Sequence, residues 1–295
     1  MNKRIKVWIE AMRLRTLPVS VAGVVTGGGC AAYYDSFKPL PFLICLLFAV
    51  CAQITSNFAN EYFDYKNGLD RKGREGFRRG VTEGDISPAN MRNATFGLLA
   101  FTCLTGCSLI YWGGLLIIPV GIAIAIFALA YSAGPYPLSH HGLGEIAVLI
   151  FFGIVPVCLT TYLQTGSFDI WPVALPLSVA IGTMGSNVLI INNYRDRKDD
   201  LAVGKRTLAV RFGSKSMRHL YLVNGFVSLL FIEIATAIRI PMYWQLGALI
   251  YINVHYMLWQ KMGASQGKEL NPILGQTSML MFGVSLWLAA ALIMK

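Results

Sequence analysis

The chain has 295 residues, of which 55% are hydrophobic and only 14% charged, and its mean hydropathy is +0.55. That balance is too apolar for an ordinary soluble protein and points to a chain that crosses a lipid bilayer many times. A net charge of +10 would suggest nucleic acid, but its distribution along the chain argues against that partner, as shown below.

Residues 1–15 carry Lys3, Arg4, Lys6, Arg13 and Arg15 interleaved with Trp8, Ile9 and Met12. This reads as an amphipathic helix lying in the membrane interface and leading into the first span. Apolar runs of spanning length follow near 17–34, 40–60, 92–112, 115–133, 143–163, 172–193, 220–238, 245–261 and 275–294. Nine transmembrane helices around a central cavity are therefore expected, in an all-α polytopic membrane protein. With the N-terminus inside, Lys38, Arg239 and Lys295 are the cations left outside. Every other Lys and Arg falls on the cytoplasmic side, the asymmetry of a bacterial inner or plasma membrane protein. Anionic lipid headgroups account for most of that charge, so no nucleic-acid partner is expected. The six cysteines form no CxxC pair and read as small buried residues.

The external connections are short, and no separate soluble domain is indicated. Residues 1–295 read as one domain. Two long polar loops, roughly 65–91 and 194–218, are both cytoplasmic, and each follows a cluster of acids and asparagines. The first cluster is Asn57, Asn60, Glu61 and Asp64, with Asp70 beyond; the second is Asn192, Asn193, Asp196, Asp199 and Asp200. These clusters end the second and sixth spans, which suggests a pseudo-repeat of spans 1–4 and 5–8.

A carboxylate at the bilayer centre costs roughly 2.5–3.5 kcal/mol on insertion scales, so acids near spans mark functional sites by default. On a helix, Asn57, Asn60 or Glu61, and Asp64 share one face; Asp196 and Asp200 do the same. Oxygen ligands of this kind suit Mg²⁺, which takes one or two carboxylates and shares its other positions with water and phosphate. An EF-hand is excluded, because Asp64 through Glu75 misplaces both acids and glycine. Arg78, Arg79, Lys205 and Arg206 are the leading cations for a diphosphate, with Arg13 and Arg15 behind them. Arg71, Lys72 and Arg74 read as solvated positive-inside charge. Among the aromatics, Tyr131 is the one promoted to the site, and the histidines are read as uninformative.

Asn60-Glu61-Tyr62-Phe63-Asp64 with Gly68-Leu69-Asp70, and Asp196-Arg197-Lys198-Asp199-Asp200, resemble the two motifs of the UbiA superfamily of intramembrane prenyltransferases. Further segments resemble its naphthoate-prenylating branch in menaquinone synthesis: Arg13-Leu-Arg15-Thr-Leu-Pro18, Gly142-Leu-Gly144-Glu145, Asn192-Asn193-Tyr-Arg195-Asp196, and Gly204-Lys205-Arg206-Thr207 running to Gly213. Glu61 stands where the family's motif usually has Asp. The resemblance implies a Mg²⁺-dependent enzyme that moves a polyprenyl chain from its diphosphate to 1,4-dihydroxy-2-naphthoate, with loss of carbon dioxide and diphosphate.

On that reading Asp64, Asp196 and Tyr131 are the catalytic candidates. Asn60, Glu61, Asp64, Asp70, Asp196 and Asp200 would hold metal. Asn57, Asn60, Arg15, Arg79, Lys205 and Arg206 would hold diphosphate. Another aromatic acceptor, or an ion-coupled secondary transporter, are the alternatives. The sequence indicates no protein partner.

Overall fold

A computed structural model describes residues 3–169 and 171–295. Among the described residues the regular elements are all helical. An interfacial helix α1 (Lys3–Met12) comes first, then α2 (Leu17–Tyr33), α3 (Pro39–Lys66), α4 (Pro88–Ser108) and α5 (Ile117–Ala130). The second half comprises α6 (Gly144–Thr165), α7 (Trp171–Ala202), α8 (Leu208–Thr236), α9 (Leu246–Ala264) and α10 (Leu270–Ile293). Val7 and Ala11 of α1 are buried against Phe58, Val81, Ile86 and Met91, so the amphipathic start docks on protein with one face.

Nine spans were expected, whereas seven segments among the described residues are long and apolar enough to cross a membrane. The difference lies in two places. Pro88–Ala130 is one apolar segment of 43 residues, which as a single helix would be about twice the ~30 Å of a bilayer core. The chain reverses inside it, at Gly113-Gly114, where Gly114 adopts φ +64°, so α4 and α5 run separately. The second place is α9, where Asn253, His255, Gln260 and Lys261 dilute an otherwise apolar stretch.

The central helix is α7. Val173, Leu177, Ala180, Ile181, Met184, Ile190 and Ile191 are buried at its heart, against α2, α6, α8 and α10. In contrast α4 and α5 expose Phe96, Phe101, Leu104, Ile122 and Ile126, side chains suited to lipid rather than water. Helix α6 contains a π-helical stretch, Leu149–Ile154, and Gly153 within it meets Gly182 of α7 backbone to backbone. Without a hydrophobic drive between helices in lipid, such close approach supplies the packing energy. Gly153→Ala should therefore lower stability by about 1–3 kcal/mol through overpacking. Unfolding in a mixed-detergent titration checks this, and an unchanged midpoint would refute the close contact.

The two basic loops meet over one end of the bundle. The backbone N–H of Glu75 donates to Asp199 Oδ2 at 3.1 Å, and Arg71 pairs with the same carboxylate. The N–H of Arg206 donates to the carbonyl of His140 at 2.8 Å, tying the α5–α6 loop to the α7–α8 loop. Both acidic clusters lie beneath this roof.

Candidate active site

A polar cleft of about 50 Å³ opens under the loops, lined among others by Arg13, Asn60, Asp64, Arg79, Tyr131 and Asp200. Asp64, on the last turn of α3, has three basic side chains around it. Lys205 donates to its Oδ2 at 3.0 Å, and Arg79 stands 3.7 Å from the same oxygen. His140 Nε2 lies 3.7 Å from Oδ1, and that oxygen is buried without a hydrogen bond. Asp200, one turn beyond Asp196, lines the cleft, and its carboxyl receives no hydrogen bond among the described residues.

The two clusters are joined by arginine. Arg74 donates to Asp70 Oδ1 at 2.6 Å and to Asp196 Oδ2 at 3.0 Å. Arg195 forks onto Asp196, with Nε to Oδ1 at 2.7 Å and a terminal nitrogen to Oδ2 at 2.9 Å. Arg79 Nε sits 3.2 Å from Asp70 Oδ2. Burial pushes the Asp70 carboxyl above its ordinary range, with Arg74 opposing the rise. Burial works against the Arg74 charge, but Asp196 and Asp70 outweigh it and raise the guanidinium further.

Several expected ligands face elsewhere. Asn57 is buried and donates to the carbonyl of Met12 at 3.0 Å, so it clamps α1 to α3 rather than entering the cleft. Glu61 is fully buried, and its Oε1 accepts from the N–H of Val81 at 3.0 Å. It thereby anchors the one-turn helix Gly80–Glu83. Asp70 stays behind Arg74 and Arg79 rather than lining the cleft. Arg15 is exposed, while Arg13, held in the left-handed region at φ 53°, lines the cleft in its place. That backbone conformation is uncommon for a non-glycine residue and turns the chain sharply from α1 into α2. Arg206 contributes its backbone, and its side chain is exposed. Arg78 is spent on Asp85 and Glu10.

Three residues that the sequence reading set aside are central. Arg74, which reads in the sequence as solvated charge, bridges the clusters. His140, uninformative in the sequence, faces Asp64. Arg195, to which the sequence gives no role of its own, holds Asp196. Their signal was present only as charge close in sequence to acids, which does not separate a bridge from a solvated side chain.

Beside the polar cleft lies an apolar cavity of about 270 Å³ between α3, α4, α5 and α6. Phe48, Leu109, Ile117 and Phe151 line it, and Gln53 and Ser56 mark its approach to Asn57 and Asn60 on the same helix. Phe127, also in its wall, packs edge-on against Tyr131 at 5.8 Å. The Tyr131 hydroxyl lies close to the backbone of Gly144 at the start of α6. The arrangement places charged groups at the mouth of a greasy compartment, which suits a substrate with an ionic head and an apolar tail.

Among the described residues no three His, Cys, Asp or Glu side chains form a closed metal cage. Hard divalent cations that keep water and phosphate ligands need only one or two carboxylates. The free Oδ1 of Asp64 and the unbonded carboxyl of Asp200 meet that need with hard oxygen donors.

The comparisons agree with this chemistry. The model of the UbiA prenyltransferase family matches residues 20–293. A 1,4-dihydroxy-2-naphthoate octaprenyltransferase of Haemophilus influenzae is 35% identical, over 95% of this chain and 93% of its own. The protein of the same description from Mycobacterium leprae is 34% identical, over 97% and 95%. Among solved structures, a UbiA homolog from Archaeoglobus fulgidus bound to DMAPP and Mg²⁺ superposes with a TM-score of 0.71. It is 14% identical and covers 97% of this chain and 99% of its own. A UbiA homolog from Aeropyrum pernix, at 13% identity, also reaches 0.71, over 91% and 96%. The helical bundle, the acidic clusters beneath the basic loops and a family match over almost the whole length agree, and the chain belongs to the UbiA prenyltransferase family.

Proposed function

We propose that this protein transfers a polyprenyl chain from a prenyl diphosphate to 1,4-dihydroxy-2-naphthoate, releasing carbon dioxide and diphosphate in menaquinone synthesis. It would work in the bacterial inner membrane, with its N-terminus and polar cleft on the cytoplasmic side. The observation that carries this reading is the junction of Asp64, Arg79 and Lys205 with the mouth of the apolar cavity. The naphthoate acceptor is supported by the Haemophilus influenzae and Mycobacterium leprae relatives, which cover nearly all of this chain.

Asp64, Asp200 and Asn60 are the residues that would hold Mg²⁺. When bound, the ion supplies Lewis-acid neutralisation of the charge on the departing diphosphate. Arg79, Arg13 and Lys205 would grip diphosphate oxygens, since guanidinium forks match phosphate geometry. Arg79 NH1 and Arg13 NH2 are buried nitrogens without a hydrogen bond, which suits them to an anion. The apolar cavity would take the tail and keep water from the allylic cation. Tyr131, in the lining of the cleft, would offer its ring to that cation.

In the reaction the allylic C–O bond breaks with its electrons leaving on diphosphate. The electron-rich ring carbon bearing the carboxylate forms the new C–C bond. Carbon dioxide then leaves, and its bonding pair restores the aromatic ring. A transporter would need acids reachable from both faces near the midplane, whereas both clusters here share one end of the bundle.

The test is purified protein in detergent with Mg²⁺, prenyl diphosphate and 1,4-dihydroxy-2-naphthoate, with product followed by mass spectrometry. Prenylated, decarboxylated product should form, vanish with chelator and return with excess Mg²⁺. Product with 4-hydroxybenzoate but not with the naphthoate would change the acceptor, and no product with any ring would reopen transport.

A further inference from the structure

Asn192 and Asn193 both line the cleft, but their amides are held in opposite senses. Asn192 Oδ1 accepts from Arg195 at 2.7 Å, so its amide nitrogen is left for the cleft. Asn193 Nδ2 donates to Glu145 Oε1 at 2.9 Å, so its carbonyl oxygen is left instead. Glu145 is only 6% exposed, and its second oxygen is buried without a hydrogen bond. A carboxylate that deep is costly unless it is used, because desolvation is repaid only by partners. It is also firmly placed. Its backbone carbonyl accepts from Ser186 at 2.7 Å, and it follows Gly144, whose backbone lies beside the Tyr131 hydroxyl. Neither the metal-bearing acids nor the diphosphate cations involve Glu145, so it is a buried acid without a task in the reaction described above.

We propose that Glu145 positions Asn193 as the acceptor-recognition residue, turning its carbonyl oxygen into the cleft to accept a hydrogen bond from a phenolic hydroxyl of the aromatic acceptor. The inference rests on the naphthoate reading given above. In 1,4-dihydroxy-2-naphthoate the 1-hydroxyl is engaged by the adjacent carboxylate, as in any ortho-hydroxy aromatic acid. The 4-hydroxyl is the free donor. The Asn193 carbonyl, in the lining of the same cleft as Tyr131, matches that donor. It also explains why the pair is a carboxylate and an amide. As an acceptor Glu145 Oε1 takes the amide through its nitrogen, which is the bond seen at 2.9 Å. A site built to bond a hydroxyl discriminates strongly against a ring that lacks it, because its own polar group is then left unpaired.

The experiment measures KM for both substrates in wild type, Asn193→Ala, Glu145→Gln and Glu145→Leu, together with Ki for 1-hydroxy-2-naphthoate, which lacks the 4-hydroxyl. Asn193→Ala should raise the KM for 1,4-dihydroxy-2-naphthoate about tenfold, the worth of one buried hydrogen bond, and leave that for prenyl diphosphate within about twofold. The Ki of the 4-deoxy analogue should be the same in both proteins. Glu145→Gln keeps an oxygen for Asn193 and should stay near wild type, while Glu145→Leu should match Asn193→Ala. An unchanged acceptor KM in Asn193→Ala, or an equal rise in the analogue's Ki, overturns the proposal. Should Glu145→Leu fail to fold, the Asn193→Ala and Glu145→Gln pair still decides it. Absence of transfer by the wild-type protein would instead remove the naphthoate reading, and this inference with it.

Discussion

Asp64→Asn should lower kcat/KM by about 10²–10³-fold or more, the usual cost of removing one preorganised electrostatic group from a buried site. Asp64 is only 1% exposed and gathers Lys205, Arg79 and His140 around a single carboxylate. The Asn amide keeps its volume and one acceptor oxygen, so the fold should survive and the chemistry should not. Its second terminal atom becomes a donor, aimed at cations that are also donors. The charge that would hold the metal and balance Lys205 and Arg79 is lost together. Asp64→Ala would be a poorer probe, since it leaves a cavity as well as unpaired cations. Single-turnover rates at saturating Mg²⁺, with a detergent melting curve alongside, provide the check. A rate within about tenfold of wild type with an intact melt would move the metal site away from Asp64.

The bundle and the site differ in how far they can be read from the chain. Apolar runs of spanning length are set by bilayer thickness, so the helices are visible without any contact being known. Where two of them merge, as across Gly113-Gly114, hydropathy alone loses the boundary and only the turn residue recovers it. Asp64 and Asp200 were legible because an acid near a span is expensive. Arg79 and Lys205, which face Asp64, were legible with them, whereas the arginine that joins Asp70 to Asp196 was not, because Arg74 and Arg71 lie three residues apart in the same basic loop and look alike in sequence. The structure sends Arg71 to Asp199 near the surface and Arg74 between Asp70 and Asp196. Arg13 and Arg15 differ by the same kind of accident, since a left-handed turn at Arg13 decides which guanidinium enters the cleft. Glu61 sits in the motif at the right spacing; its Oε1 accepts from the N–H of Val81, and its Oε2 is buried without a hydrogen bond.

Arg195→Leu should lower the stability of the folded protein by about 3 kcal/mol, because it takes two of three hydrogen bonds from a buried carboxylate. Arg195 is 5% exposed and spends its whole fork: two nitrogens on Asp196, one also reaching Asn192, and the third donating to Asn271 at 2.7 Å. It thus ties α7 to the first turn of α10, with the Phe77 ring 5.2 Å from its guanidinium carbon. Gly76 passes close enough that an added Cβ would lie 2.9 Å from this guanidinium, so the first loop is moulded around it. Arg74 remains on Asp196, which limits the loss to the lower end of the range for breaking a buried pair.

Arg195→Lys separates charge from shape. A lysine restores the positive charge but offers one ammonium point where three separate oxygen-bearing side chains are spaced for a planar fork. It should regain part of the stability and little of the activity, because Asn192 and Asp196 would no longer be held in register at the cleft wall. Detergent unfolding midpoints and turnover, measured on the same three preparations, distinguish the two effects. If Arg195→Lys matched wild type in both, Arg195 would be only a counter-charge, and the alignment of the second cluster would have to come from Arg74 alone.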